Sequence, residues 1–217
     1  MDNTTRRSFI AKATAFVGAL AMAKATFGAS ADTDLISRMT WLNEPATSKR
    51  VAEKLIVHSR PKTDFWRKTF YGYITDNGHF LHTPAAGDFT FEARVNGRYA
   101  ALYDQAGLMV RVNAENWMKC GTELFDGKRH ASVVFTREFS AWSTMPDLTE
   151  TGPVWWRAVR KGESIETLCS LDGKDFTSVR QGYFPASTAD VGIMCAAPEG
   201  AGFDAEFDRL SLSLAKK

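Results

Sequence analysis

Residues 104–123, DQAGLMVRVNAENWMKCGTE, constrain the fold of this chain more than any other stretch. Ala106, Leu108, Val110 and Val112 alternate with Gln105, Gly107, Met109 and Arg111. After a polar gap, Met118, Cys120 and Thr122 alternate with Trp117, Lys119, Gly121 and Glu123. Period-two alternation of this kind belongs to strands of a sheet with two unlike faces. For both apolar sets to share a face, the loop around Asn113, Ala114 and Glu115 must hold an odd number of residues, because an even loop would turn one strand over. The simplest register pairs Leu108 with Cys120 and Val110 with Met118 against the core. It then sets Arg111 beside Trp117, Met109 beside Lys119, Gly107 opposite Gly121 and Gln105 opposite Glu123 on the other face. Two facing glycines would leave bare backbone as the floor of a ligand groove, into which a methyl group on either would point. The competing reading is that a bulky side chain from another segment fills that gap, with Arg111 stacked on Trp117.

Further strand signals recur at short spacing, as FYGYIT, GDFTFEARV, HASVVFTRE, WWRAVR, IETLCSLDG, ADVGIMCA and FDAEFDRLSLSL, and helical periodicity is scarce. Turn residues punctuate them at Asp76-Asn77-Gly78, Asp126-Gly127, Lys161-Gly162 and Asp172-Gly173. Strands with one polar and one apolar face, joined by such turns, predict an all-β sandwich of two antiparallel sheets. Trp156 belongs to its core, Trp66 fits core or groove, and two loop lengths fit the hairpin from Trp155 to Ser170 equally well. Under one of them Arg157 would join Arg111.

The first thirty-one residues are a targeting segment rather than part of this fold. Thr5-Arg6-Arg7-x-Phe9-Ile10, followed by a mildly apolar, alanine-rich run to Ala31, resembles the twin-arginine signal of bacterial exported proteins, with its lysine one place late at Lys12. Lys24 interrupts the run, which argues against a membrane-spanning helix and a stable anchor. The resemblance implies the twin-arginine export machinery as a partner and a periplasmic or secreted destination for residues 32–217, a single domain. Removing Arg6, Arg7, Lys12, Lys24 and Asp2 takes the net charge from +2 to −1, so the basicity belongs to the signal. No clustered cationic face suited to nucleic acid is left. Cys120, Cys169 and Cys195 are scattered in apolar strands without metal-ligand spacing, and buried free thiols are expected.

WLNEP, TDFWRKTFYGY, DNGHFL, YDQAGLMVR, NWMKCGTE, SLDG and GIMCAAPEGAGF, in this order, resemble the family called domain of unknown function 1349. Its members include YesU-like bacterial proteins and fungal regulation-of-enolase proteins. The resemblance covers nearly all of residues 32–217 and implies a concanavalin A-like jelly roll, a fold shared by many lectins and glucanases. Where the family commonly has Ser-Asp-Trp-Ser, this chain has Ser140-Ala141-Trp142-Ser143. If that aspartate contributes to a family site, the site is altered here.

A glycosidase needs two carboxylates flanking the scissile bond. Glu123 can supply one, and the sequence names no partner for it. In Asp204-Ala205-Glu206-Phe207-Asp208 the alternation sends the phenylalanine to the core and the acids to an outer sheet face. His79 and His82, three apart on a strand, point to opposite faces and cannot share a metal. No cofactor and no metal are expected. The ligand-binding candidates are Gln105, Arg111, Trp117, Lys119, Glu123 and Trp142, for a glycan or small molecule. The sequence therefore reads as an exported, non-catalytic carbohydrate-binding or carbohydrate-associated protein. The alternatives are a protein-interaction or regulatory module and, third, a glycoside-active enzyme.

Overall fold

The computed structural model of the chain describes residues 35–146 and 148–215, so the export segment read at residues 1–31 lies outside the described residues. After a 3-10 turn, Leu35–Arg38, the described chain runs through short strands that pair antiparallel throughout. One seven-stranded sheet has the order β1 (Thr40–Leu42), β6 (His79–Ala85), β15 (Ala189–Ala196), β8 (Gln105–Arg111), β9 (Asn116–Phe125), β10 (Lys128–Arg137) and β11 (Phe139–Met145). The second has the order β14 (Thr177–Tyr183), β13 (Ser164–Ser170), β12 (Val154–Lys161), β7 (Phe89–Gly97), β16 (Asp204–Leu214), β3 (Lys54–His58) and β2 (Thr47–Val51). The late strands β15 and β16 insert between early ones, which is the crossing pattern of a jelly roll.

The central hairpin has the register that alternation demands. Leu108 pairs with Cys120, Val110 with Met118, Gly107 with Gly121 and Gln105 with Glu123, across a five-residue loop. Asn113 folds that loop by accepting the backbone N–H groups of Glu115 and Asn116, both at 2.9 Å. Leu108, Val110, Met118 and Cys120 enter the core between the sheets, where they meet Phe91, Val95, Trp156 and Phe207. The three cysteines are free and buried, and burial raises the thiol pKa of each.

The β12–β13 hairpin closes with Lys161 opposite Ser164 around a two-residue turn, with Gly162 at φ 54°. That register buries Trp156 and sends Arg157 to the outer face of the second sheet, against Glu92 and over the ring of Phe176. Arg157 thus lies on a different sheet from Arg111. On the same outer face Asp204, Glu206 and Asp208 face hydrogen-bonding partners on neighbouring strands, the His58 imidazole, Lys54 and Arg94, while Ala205 and Phe207 are buried.

One strand expectation is corrected. Of FYGYIT only Ile74 and Thr75 join a strand, β5 (Ile74–Asp76), which pairs with β4 (Phe65–Arg67) as a small separate ribbon. Phe70 to Tyr73 form the turn between them, with Lys68 and Phe70 in the left-handed region at φ 60° and 61°. This ribbon lies on the outer face of the first sheet. Phe65 and Trp66 cover Phe80, Met109, Trp117, Val134 and Met194 there, making a second apolar layer.

Candidate functional site

The ribbon is tied down at three places. Arg111 makes two 2.7 Å bonds to the carboxylate of Asp76. Arg67 donates to Glu115 at 2.9 Å, and its backbone N–H donates to the Ser140 hydroxyl at 3.0 Å. The Asn77-Gly78 turn fixes Asp64: Asn77 Oδ1 accepts the Asp64 N–H at 2.8 Å, and the N–H groups of Asn77 and Gly78 donate to its carbonyl. Only glycine fits at 78, because a Cβ would stand 2.4 Å from the ring of Phe65.

Beside the ribbon, on the same face of the first sheet, lies a narrow pocket open to solvent, with room of ≈ 30 Å³ for water-sized groups. Its polar floor is Asp64, Gln105, Lys119 and Glu123, and its walls carry the rings of Trp66, Tyr71, Tyr73, Tyr103 and Trp142. Lys119 Nζ donates to Asp64 Oδ1 at 3.1 Å and to the Phe65 carbonyl at 2.7 Å. Trp142 Nε1 donates to Glu123 Oε2 and to the Ser132 hydroxyl, each at 3.0 Å. Gln105 Nε2 stands 3.4 Å from Asp64 Oδ1 and 3.5 Å from Glu123 Oε1, so the two oxygens are at most about 7 Å apart, the sum of those distances. The hydroxyls of Tyr71 and Tyr103 meet at 3.0 Å across the pocket mouth, joining ribbon to sheet.

Burial pushes the Glu123 carboxyl above the ordinary glutamate pKa. Lys119 and the hydrogen bonds from Ser132 and Trp142 oppose the shift, and Asp64 adds to it. The Tyr103 hydroxyl is raised mainly by its hydrogen bond to Tyr71, and Tyr73 by burial and then by Asp64.

The pocket brings together four of the six candidates read from the sequence, Gln105, Lys119, Glu123 and Trp142. Arg111 and Trp117 lie under the ribbon instead. Arg111 is held by Asp76 and stands 5.9 Å from the centre of the Phe65 ring, and Trp117 is buried edge-on to Phe65 with Nε1 bonded to the Ala114 carbonyl. The facing glycines are corrected as well. A Cβ on Gly107 would lie 2.0 Å from the Cys120 carbonyl oxygen, and one on Gly121 2.3 Å from that of Ala106. These glycines permit close approach of two backbones and do not aim at open groove. Ala141 lies one residue from Trp142 on the alternating strand, opposite Phe135, and is exposed; Arg180 reaches its carbonyl and the Ser143 hydroxyl. The departure from Ser-Asp-Trp-Ser therefore falls outside the pocket lining.

The model of the family DUF1349, described as a protein of unknown function, matches residues 41–215. The chain belongs to this family. Regulation of enolase protein 1 of Saccharomyces cerevisiae is 40% identical over 179 residues, 82% of this chain and 90% of the yeast protein. A crystal structure of a functionally unknown protein from the same yeast superposes with a TM-score of 0.80 at 38% identity, covering 84% of this chain and 99% of that one. At lower identity the fold alone is shared. The GH43 protein BlXynB of Bacillus licheniformis gives a TM-score of 0.63 at 16% identity, over 81% of this chain and 36% of that one. The metal-free lectin I-B4 of Griffonia simplicifolia gives 0.54 at 10%, over 83% and 95%.

Sequence reasoning missed the lining residues Tyr103 and Val134 and, at the ribbon, Asp64, Tyr71 and Tyr73. The signal for the ribbon residues was the density of rings in DFWRKTFYGY, five aromatics in nine residues from Phe65 to Tyr73, which far exceeds what one strand can bury. Among the described residues no group of three or more His, Cys, Asp or Glu could hold a metal ion.

Proposed function

We propose that this protein is an exported carbohydrate-binding jelly roll whose ligand lies in the pocket between the ribbon and the first sheet. The observation that carries this reading is the pairing of flat aromatic walls, Trp66, Tyr73 and Trp142 among them, with a floor of planar polar groups, Asp64, Gln105 and Glu123. Rings take the C–H faces of a sugar, while carboxylates and an amide take its hydroxyls. The shared fold with a lectin agrees with this by analogy. Binding rather than hydrolysis is favoured because the Gln105 amide stands within 3.5 Å of both carboxylates, in the space a scissile bond would need. Export rests on the twin-arginine pattern at Arg6 and Arg7.

The test is a glycan array followed by calorimetry with the purified protein. Saturable binding to a defined glycan, weakened at least tenfold in Trp142→Ala, is the expected result. An array with no binder, or a binder indifferent to Trp142→Ala, overturns the reading.

A second reading, a protein-interaction module, is favoured by Phe70, which is 92% exposed at the ribbon tip next to the mouth, with Leu102 also exposed. The name of the yeast relative points the same way, although a cytoplasmic enolase would be out of reach of an exported chain. Phe70→Ser should abolish association with a protein partner and leave glycan binding intact, since Phe70 does not line the pocket.

A further inference from the structure

We infer that the pocket takes a protonated amine, and, resting on the carbohydrate reading, that its ligand class is an amino sugar with a free amine. Two carboxylates, Asp64 and Glu123, converge on the one Gln105 amide nitrogen. Among the described residues lining the pocket, Lys119 is the sole cation, and its ammonium is committed to Asp64 and to the Phe65 carbonyl. Glu123, 6% exposed, feels the Lys119 charge at a distance but takes its hydrogen bonds from uncharged donors: the indole of Trp142, the Ser132 hydroxyl and the amide of Gln105. An ionised carboxylate withdrawn from water calls for a positive partner. The contact from Gln105 to Glu123 Oε1 is 3.5 Å, at the outer limit of a hydrogen bond, and a carboxylate oxygen so weakly engaged keeps acceptor capacity for one.

The walls suit a cation as well as a sugar face. Trp66, Tyr71 and Tyr73 form one bank, with Tyr71 5.6 Å from each of the other two rings. Tyr103 and Trp142 form the other, 6.3 Å apart and near-perpendicular. Rings around a site with carboxylates at its floor attract ammonium groups through the negative faces of the π systems. A neutral hexose would use the rings and offer the Glu123 carboxyl no cationic partner. An N-acetylated sugar would present no cation to the floor. A free 2-amino group satisfies both features.

Burial of Glu123 has a further consequence for the same site. Its neighbours across strands and loops are Lys119, Asp64, His130 on the adjacent strand, and the phenol of Tyr103. An arriving ammonium would favour the ionised form of Glu123, so binding should release protons to the buffer when Glu123 is partly protonated in the free protein.

The experiment is calorimetry of the purified protein at pH 7 with glucosamine and galactosamine, their N-acetylated forms, glucose and galactose, and tetramethylammonium chloride as a sugar-free cation. The amines are expected to bind about tenfold or more tightly than the neutral and acetylated sugars, the worth of one hydrogen bond to a charged group. Glu123→Gln should collapse that ratio toward one. Because the comparison among ligands is made on the natural protein, it decides the matter even if the variant fails to fold. Equal binding of neutral and amino sugars overturns the amine inference and leaves the carbohydrate reading standing. Binding of tetramethylammonium without any sugar overturns the carbohydrate reading and keeps the cation site. No binding of any of these probes overturns both.

Discussion

At Glu123 a carboxyl group is held where water would normally solvate it, and its protonation is therefore tied to folding. Its folded-state pKa lies above the ordinary glutamate value of 4.5, chiefly through burial. The folded form thus keeps a proton over a range of pH in which the unfolded chain has lost it. That contribution to stability is fully present below the unfolded pKa and disappears as pH rises through the raised folded value. Glu123→Gln keeps an acceptor for Trp142 and removes the titration. The melting temperature of the variant, compared with the natural protein from about pH 4 to about pH 7, should therefore move in the variant's favour as pH rises. An unchanged difference across that range would refute the linkage. Gly121 makes a different residue-scale case. An alanine there would drive a methyl group to 2.3 Å from the Ala106 carbonyl oxygen, so the strands must separate, at a cost of about 1–3 kcal/mol in urea unfolding. Met109 changes the expectation in a third way. Alternation places it on the face away from the main core, yet it is fully buried beneath the ribbon, so Met109→Ala and Leu108→Ala should each cost about 2–5 kcal/mol.

Among elements, the β4–β5 ribbon decides whether the pocket exists, because it carries Asp64, Trp66, Tyr71 and Tyr73. Phe65 and Trp66 hold it by burial, worth about 1.5–3 kcal/mol for a fully buried large side chain, and the Arg111–Asp76 pair sets its position. Asp76→Ala leaves a largely buried guanidinium without its partner, and the double change with Arg111→Met should recover much of the loss. Hydrogen exchange should show faster exchange at residues 65–76 in the single variant, and ligand affinity should fall with it. The sequence was most legible where one element dictates its own geometry. Residues 105–123 gave their register from alternation and loop parity alone, since an apolar face admits one pairing. It was least legible at the ribbon, whose strands are three residues each and whose rings pack on a face formed by strands far away in the chain. Asp64 could not be matched with Glu123 by spacing, because the two meet through Gln105 and Lys119 across separate segments. Alternation put Arg111 and Trp117 on the pocket's side of the sheet, and only the covering ribbon determines that they lie beneath it.

For the molecule as a whole, the proposed export route and the chemistry of the core bear on each other. Twin-arginine transport carries chains that have already folded, so under the proposed export route a core rich in long-range pairing would be completed in the reducing cytoplasm. Cys120, Cys169 and Cys195, free and buried between the sheets, would suit that proposed order of events, because thiols enclosed before export would be shielded from oxidation afterwards. If the arginine pair at 6 and 7 directs the chain to that machinery, replacing both by lysine should hold the precursor in the cytoplasm although charge is conserved, since the receptor reads guanidinium groups and not charge alone. The natural chain should be processed between Ala31 and Asp32, and the retained variant should still be folded and protease-resistant over residues 35–215. Cell fractionation with mass spectrometry of the amino terminus measures both. Normal periplasmic accumulation of the double-lysine variant would show that the chain leaves by another route.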